Sequence, residues 1–529
     1  MKTLVSAFAV AAVAFVGCNH DFTQANRSRA ADGDDLILRA HFIGSEELLN
    51  DREAGKLKQV WNLKASGQLR DEALNRFSRL PFLWLSNSLP KNSFDQSPLF
   101  RPLLEDALAH ESFIEWRAGS FALAARVPAA RAQIWDSNLR QAISIWRLGT
   151  PATLKGDGTS GWELSNPAAL SLRFTRGQDW AVVIIGQSTA RAESNVLAKL
   201  KQFTRPSGAW LEGDANLVEF KDRLSILKDM SNLPAAHFSL SNRADFVRTL
   251  VRLDFAKPHQ WKPEPWLVPT NLIWDPVADF TVARGVSRVL EEAPWIHDLE
   301  WKPAPNQFCG WGNRNLPFQL FYAAPSRNVS AQLHRIEPKL RAQIDRLSGT
   351  NLVGSLGWDS NNVELVWRGL PLATPGLAPA RDRNEEFVVL QLFPLVKTKE
   401  RPPQELFAQL AGRDDLVLYD WESTEFRLPH WRQIYQLAEI ATRRTLTPTN
   451  TPAQQWQFDV APLLADTITE IRSTSPTQMT LVRKSSMGLT AFELVTLTRW
   501  IESTKFPEFG FFSPQPPRPT APPARANKK

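Results

Sequence analysis

Between Pro317 and Leu395 the sequence switches between strand and helix periods, and that switching limits what the chain can fold into. Residues 317–324 (PFQLFYAA) read as a strand, and Ser326 offers a hydroxyl suited to capping a helix. Val329, Leu333, Ile336, Leu340, Ile344 and Leu347 follow at spacings of three and four, which makes one apolar helix face. Pro338 falls inside that face, where a proline kinks or splits a helix. Residues 355–369 (SLGWDSNNVELVWRG) are two alternating runs about Asn361-Asn362, residues that tolerate the left-handed backbone of a tight hairpin. A further strand at 387–395 (FVVLQLFPL) completes the unit.

The same order recurs. A strand at 121–127, a helix near 131–148 and a hairpin at 171–186 form one copy. A strand at 208–216, a helix near 217–230 and a hairpin at 237–255 form another. A third joins a strand at 415–422, helices near 429–443 and 459–467 and a hairpin at 468–485; a last helix follows at 490–502. The opening strand 35–44, helices to about 109 and a hairpin at 112–127 read as one more. The expected fold is α+β: repeated β-α-β-β units, three to five of them, in one or two large antiparallel sheets with helices packed on one face. A parallel doubly wound sheet is the alternative, which the hairpins disfavour.

One segment, 257–316, breaks the rhythm. It is rich in tryptophan and proline and contains two similar phrases, QWKPEPW (260–266) and EWKPAPN (300–306). Each proline forces its predecessor into extended geometry, so the segment reads as a junction between a first half, 35–256, and a second, 317–508. A strand running into a helix is expected within it at 279–293.

The N-terminus carries a different signal. Lys2 precedes an apolar run, Leu4 to Val16, too short to span a bilayer and of the length of a secretory signal. It ends in Phe15-Val16-Gly17-Cys18, which resembles the lipobox of bacterial lipoproteins, with Phe15 where that family usually has Leu. The resemblance implies cleavage after residue 17, a lipid on Cys18 and a membrane anchor. Asn19, in place of the retaining Asp of the best-studied sorting rule, implies the outer membrane, facing the periplasm. Residues 18–34 read as a flexible tether, and 509–529, rich in proline and ending Lys-Lys, as a disordered tail. The layout and the phrases WKPEPWLVPTNLI, FVVLQLFPL and TSPTQMTLVRKS resemble an uncharacterised family of large secreted proteins and lipoproteins of environmental bacteria. That resemblance covers most of the mature chain and transfers no activity and no site.

No familiar catalytic spacing is present. A Gly-x-Ser-x-Gly elbow, a His-Glu-x-x-His helix and a phosphate loop are all missing, and none of the 8 His has metal-ligand spacing to another His or Cys. No catalytic residue, metal site or cofactor is therefore assigned. His297-Asp298 with Glu300 is the densest titratable cluster about a histidine, and Asp420 and Glu422 share a strand face; both read as ordinary structure. Cys309 reads as a buried thiol. The net charge of +7 is spread over interleaved acids and bases, which argues against nucleic acid as a partner.

Aromatic usage is uneven, with 20 Trp against 3 Tyr. Trp146, Trp358, Trp367 and Trp500 sit in core-like patterns, while Trp261, Trp266, Trp301 and Trp311 of the Pro-rich segment are the candidates for a ligand platform. Three functions follow in order. The first is a non-enzymatic envelope scaffold or protein-binding lipoprotein. The second is a periplasmic glycan- or lipid-binding module, and the third a hydrolase with a non-standard site.

Overall fold

A computed structural model describes residues 36–507, apart from 86–88, 90–93, 157–158, 166–170, 178, 187–188, 203–207, 222–229, 244–245, 260, 262–263, 293–296, 349–351, 395–401, 443–449 and 505. Cys18, the tether and the tail lie outside the described residues.

The first half runs β1 (Leu36–Phe42), α1 (Ser45–Asn50), α2 (Gly55–Trp61), α3 (Lys64–Ser78), α4 (Leu80–Leu85), α5 (Ser97–Ala109), β2 (Ser112–Arg117), β3 (Ser120–Arg126) and α6 (Ala129–Ile145). It continues with β4 (Ala152–Gly156), β5 (Thr159–Leu164), β6 (Ser171–Gly177), β7 (Trp180–Gly186), α7 (Thr189–Gln202), β8 (Ala209–Asn216), α8 (Leu217–Phe220), β9 (Ala235–Arg243) and β10 (Phe246–Asp254). The second half runs β11 (Val277–Arg284), α9 (Ser287–Glu292), β12 (Gln307–Asn313), β13 (Leu320–Pro325), α10 (Val329–Ser348), β14 (Ser355–Trp358), β15 (Leu365–Arg368), β16 (Gly376–Asp382) and β17 (Glu385–Gln391). Then come α11 (Gln404–Ala408), β18 (Leu416–Glu422), α12 (Thr424–Ala441), α13 (Pro452–Val460), β19 (Thr467–Ser475), β20 (Gln478–Ser485) and α14 (Ala491–Glu502).

The fold is α+β, with all 20 described strands in one antiparallel sheet. Its pairings trace a single path: β4-β5-β6-β7-β3-β2-β1-β8-β9-β10 in the first half, then β20-β19-β18-β11-β12-β13-β17-β16-β15-β14 in the second. Adding ten to each strand number of the first half reproduces the second. The irregularities repeat too. The ladder slips between Leu36 and Leu38 in β1 and between Val277 and Asp279 in β11. It slips again between Ala209 and Leu211 in β8 and between Leu416 and Leu418 in β18. With the registers anchored on these bulges, Leu250 and Val482 are equivalent residues, and they face each other across the β10–β20 seam. The halves are therefore related by an approximate two-fold axis through that pair.

Two expectations are corrected. The repeating unit is a ten-strand half present twice, not a β-α-β-β unit present three to five times. Its β4–β5 hairpin (ATLKG, TSGWEL) lacks the apolar alternation that marks a strand in sequence. Nor do the helices share one face. Alternation along β3 and β7 sends Ala124, Val182 and Ile184 to one side, under Ala192 and Val196 of α7. It sends Ala125, Ala181 and Val183 to the other, under Trp135, Leu139 and Ile143 of α6. Pro338 lies inside the single helix α10.

Candidate functional site

Register places Arg39 beside Asp214, Asp214 beside His237, and His237 beside Arg252, one row across β1, β8, β9 and β10. Two residues along, His41, Glu212, Ser239 and Leu250 form a second row on the same face. Together they floor a recess of about 560 Å³, which Lys199 of α7 and Thr480 of β20, beside Arg252, also line. That volume suits a small ligand.

The floor is held by ion pairs. Arg39 grips Asp214 through Nε at 3.0 Å and through Nη2, and His237 Nδ1 contacts the other Asp214 oxygen. His237 Nε2 faces Asp254 at 3.5 Å, and Arg252 bonds Asp254 at 3.0 Å. His41, only 3% exposed, sits between Glu111 at 2.9 Å and Glu212 at 3.6 Å. The bond with His41 holds the Glu111 carboxyl below the usual carboxylate range against the effect of burial. Burial would raise Asp254, but bonds from Gln478 and Arg252 outweigh it and leave that carboxyl lowered as well.

The second half shows what the same face looks like when closed. There Phe280, Val282, Tyr419, Trp421 and Ile468 occupy the positions of Arg39, His41, Glu212, Asp214 and His237. They form an apolar core sealed by Leu406 and Phe407 of α11, by Leu410, and by Leu267, Leu272 and Ile273 from the connection before β11. In the first half the corresponding helix, α7, packs over β3 and β7 instead. The floor over β1, β8 and β9 is left open.

The reverse faces exchange character in the opposite sense. Leu38, Ala215 and Ala236 join an apolar core in the first half. Their equivalents, Asp279, Glu422 and Thr467, are buried polar residues. Arg427 of α12, fully buried, pairs with Asp279 at 3.0 Å. Glu422 accepts from Thr424 at 3.2 Å and from the Ala491 amide at 2.6 Å, and Thr281 donates to Asp420. Asp420 and Glu422 thus share a face, as their spacing implies; Glu422 ties helices to the sheet, and Asp420 ties β18 to β11.

The tryptophan candidates do not form one platform: Trp266 and Trp311 pack in the second-half core, Trp261 and Trp301 in two others. Trp261 donates to the Arg284 carbonyl at 3.0 Å, and the Arg284 guanidinium lies 5.5 Å from the Trp261 ring and 4.3 Å from that of Trp266. These two come together about one arginine, which also bonds the carbonyls of Glu264, Arg413, Asp414 and Leu416. Trp311 is 3% exposed and stacks on Phe321 at 5.3 Å, inside the second-half core. Trp301 packs beside Val329, Leu333 and Ile336 of α10. The 257–316 segment supplies β11 and β12, central strands of the second half that are buried on both faces. Cys309, in β12, is buried, and burial pushes its thiol up. His297 is exposed beside Asp298 at 3.9 Å, while Glu300 pairs instead with Lys339.

Sequence reading missed the recess. Its signal is an i, i+2 polar pair in three otherwise strand-like runs: Arg39 and His41, Glu212 and Asp214, His237 and Ser239. Only pairing unites them, since Arg39 and Asp214 lie 175 residues apart. Among the described residues no group of side chains is arranged to hold a metal, and no helix is long and apolar enough to cross a membrane.

Comparison with known proteins adds little. No family model matches the sequence, and no curated protein does. Two solved structures, crystal forms III and I of TP0453, are similar to part of the chain at TM-scores of 0.23 and 0.22 and identities of 13% and 12%. They cover 42% and 43% of this chain and 77% and 80% of theirs.

Proposed function

We propose that the protein is a lipid-anchored binding protein of a bacterial envelope, held through Cys18 at the outer membrane and facing the periplasm. Its first-half recess is where a small polar ligand is taken up. One observation carries the binding reading: of two equivalent sheet faces, one is apolar over β11 and β18 and sealed, while the other is charged and open over β1 and β8. The fold does not require the open state, since its own second copy does without it. A charged and open floor that the second copy of the fold does without is the mark of a site. The scaffold reading is less favoured. It asks for a contiguous exposed apolar patch, and among the described residues the most exposed large apolar side chains, Phe94, Leu372 and Phe458, lie on separate segments.

The anchor is tested by labelling cells with an alkynyl fatty acid. The full chain should take up label and sediment with membranes, and Cys18→Ser should do neither. Label that survives Cys18→Ser sinks the anchor. Binding is tested by capture from detergent-solubilised envelopes with the soluble Cys18→Ser chain lacking residues 1–17. A retained small molecule supports the recess. A stoichiometric protein partner with no small molecule favours the scaffold instead.

A further inference from the structure

We infer that the ligand of the recess is a short saccharide; the inference rests on the recess being a binding site. The floor is a grid. Neighbouring strands lie roughly 4.8 Å apart, and its two rows are roughly 6.7 Å apart. In the first row the Asp214 carboxylate stands between the Arg39 guanidinium and the His237 imidazole, with the Arg252 guanidinium beyond. In the second, His41, Glu212 and Ser239 are followed by the apolar Leu250.

The ion pairs described above fix these side chains before any ligand arrives, so little side-chain freedom is lost on binding. A hydroxyl both donates and accepts, so adjacent sugar hydroxyls use both the guanidinium donors and the carboxylate acceptors of this floor. Glu212 is the acceptor with most to offer, since its partner His41 stands 3.6 Å away. Leu250 gives an apolar spot for the C–H face of a ring.

Other ligand classes fit less well. An acyl chain would strip water from Arg39, Asp214 and Glu212 and give nothing in return. A phosphate would find the floor guanidiniums already engaged, Arg39 with Asp214 and Arg252 with Asp254, and the Asp214 and Glu212 carboxylates beside them. A metal ion would find Asp214 already shared by a guanidinium and an imidazole.

The test uses the soluble Cys18→Ser chain lacking residues 1–17. Saturation-transfer NMR and calorimetry are run with cellobiose, maltose and chitobiose, and with dodecanoate and inorganic phosphate as comparators. At least one saccharide should bind. Glu212→Gln, which keeps shape and removes charge, should weaken it roughly 10-fold, the scale of one charged hydrogen bond. Ser239→Trp, which fills the recess from its floor without touching the ion pairs, should abolish binding at an unchanged melting temperature. Dodecanoate or phosphate binding that Ser239→Trp abolishes, with no saccharide bound, overturns the saccharide and leaves the recess standing. Saccharide binding that survives Ser239→Trp overturns the location. Binding of none of the five overturns both.

Discussion

Replacing Glu493 with glutamine tests how the second half is locked together. The Glu493 carboxylate accepts from Arg483 Nη1 at 2.7 Å, from Arg483 Nη2 at 3.1 Å and from the Thr490 amide at 2.8 Å. The side chains of Arg483 and Glu493 are 3% and 2% exposed. The glutamine side chain would keep the size and an oxygen for the Thr490 amide, so the capping bond at the start of α14 survives in form. What disappears is the charge opposite a buried guanidinium. Removing one partner of a buried pair destabilises by about 3–5 kcal/mol, whereas loss of a helix cap alone costs about 1 kcal/mol. The larger figure is expected.

Replacing both residues, Arg483→Met with Glu493→Leu, should recover much of that loss. No charge is then stranded, and the Gly488 carbonyl that Arg483 served keeps Thr249 Oγ1 as a donor at 3.3 Å. The double variant should lie within about 2 kcal/mol of the parent. Urea unfolding of the soluble chain, followed by tryptophan fluorescence, reads both as midpoint shifts at constant slope. A Glu493→Gln loss of about 1 kcal/mol or less would refute the reasoning. So would a double variant as unstable as the sum of the singles.

Three further outcomes are expected. Gly285 has φ +72°, and a Cβ there would lie 1.7 Å from Trp261 Cδ1; Gly285→Ala should cost about 2 kcal/mol or more in thermal unfolding, and an unchanged melting temperature would refute this. Burial pushes the Tyr419 and Tyr435 hydroxyls up to about 12 from an ordinary 10.0. The stability this represents is present below pH about 10 and lost as pH rises toward 12. Phenolate absorbance at about 295 nm should therefore lack both residues until alkaline unfolding, and early titration of either refutes it. The Cys309 thiol should stay unreactive toward Ellman's reagent in the native Cys18→Ser chain and react once denatured, because burial raises it and blocks access.

Much of the strand inventory was legible in residues alone. The hairpins at 171–186, 237–255 and 468–485 correspond to β6–β7, β9–β10 and β19–β20. The face from Val329 to Leu347 corresponds to α10, and 490–502 to α14 with its capping box at Thr490 and Glu493. The helix expected near 459–467 instead occupies Pro452–Val460, which Thr451 caps and where Pro452 fits the first turn. The four tryptophans of the Pro-rich segment share composition, but they do not form one surface: Trp261 and Trp266 meet at Arg284, while Trp311 and Trp301 pack elsewhere. Proline restricts a local backbone, while burial is set by whichever strand pairs alongside.

The sequence by itself determined local form: where the chain alternates with period two, where it turns, and which helix faces are apolar. These depend on neighbours within a few residues. It also carries the N-terminal pattern about Cys18, which is read without any fold. Tertiary structure alone decided that ten strands recur as two halves about a two-fold seam, because that order lies in pairings between segments up to hundreds of residues apart. It alone decided which face of each half is open. A strand with polar and apolar residues in alternation is compatible with either assignment. The choice between a charged recess at Arg39 and Asp214 and a sealed core at Phe280 and Trp421 is made by where α7 and α11 come to rest.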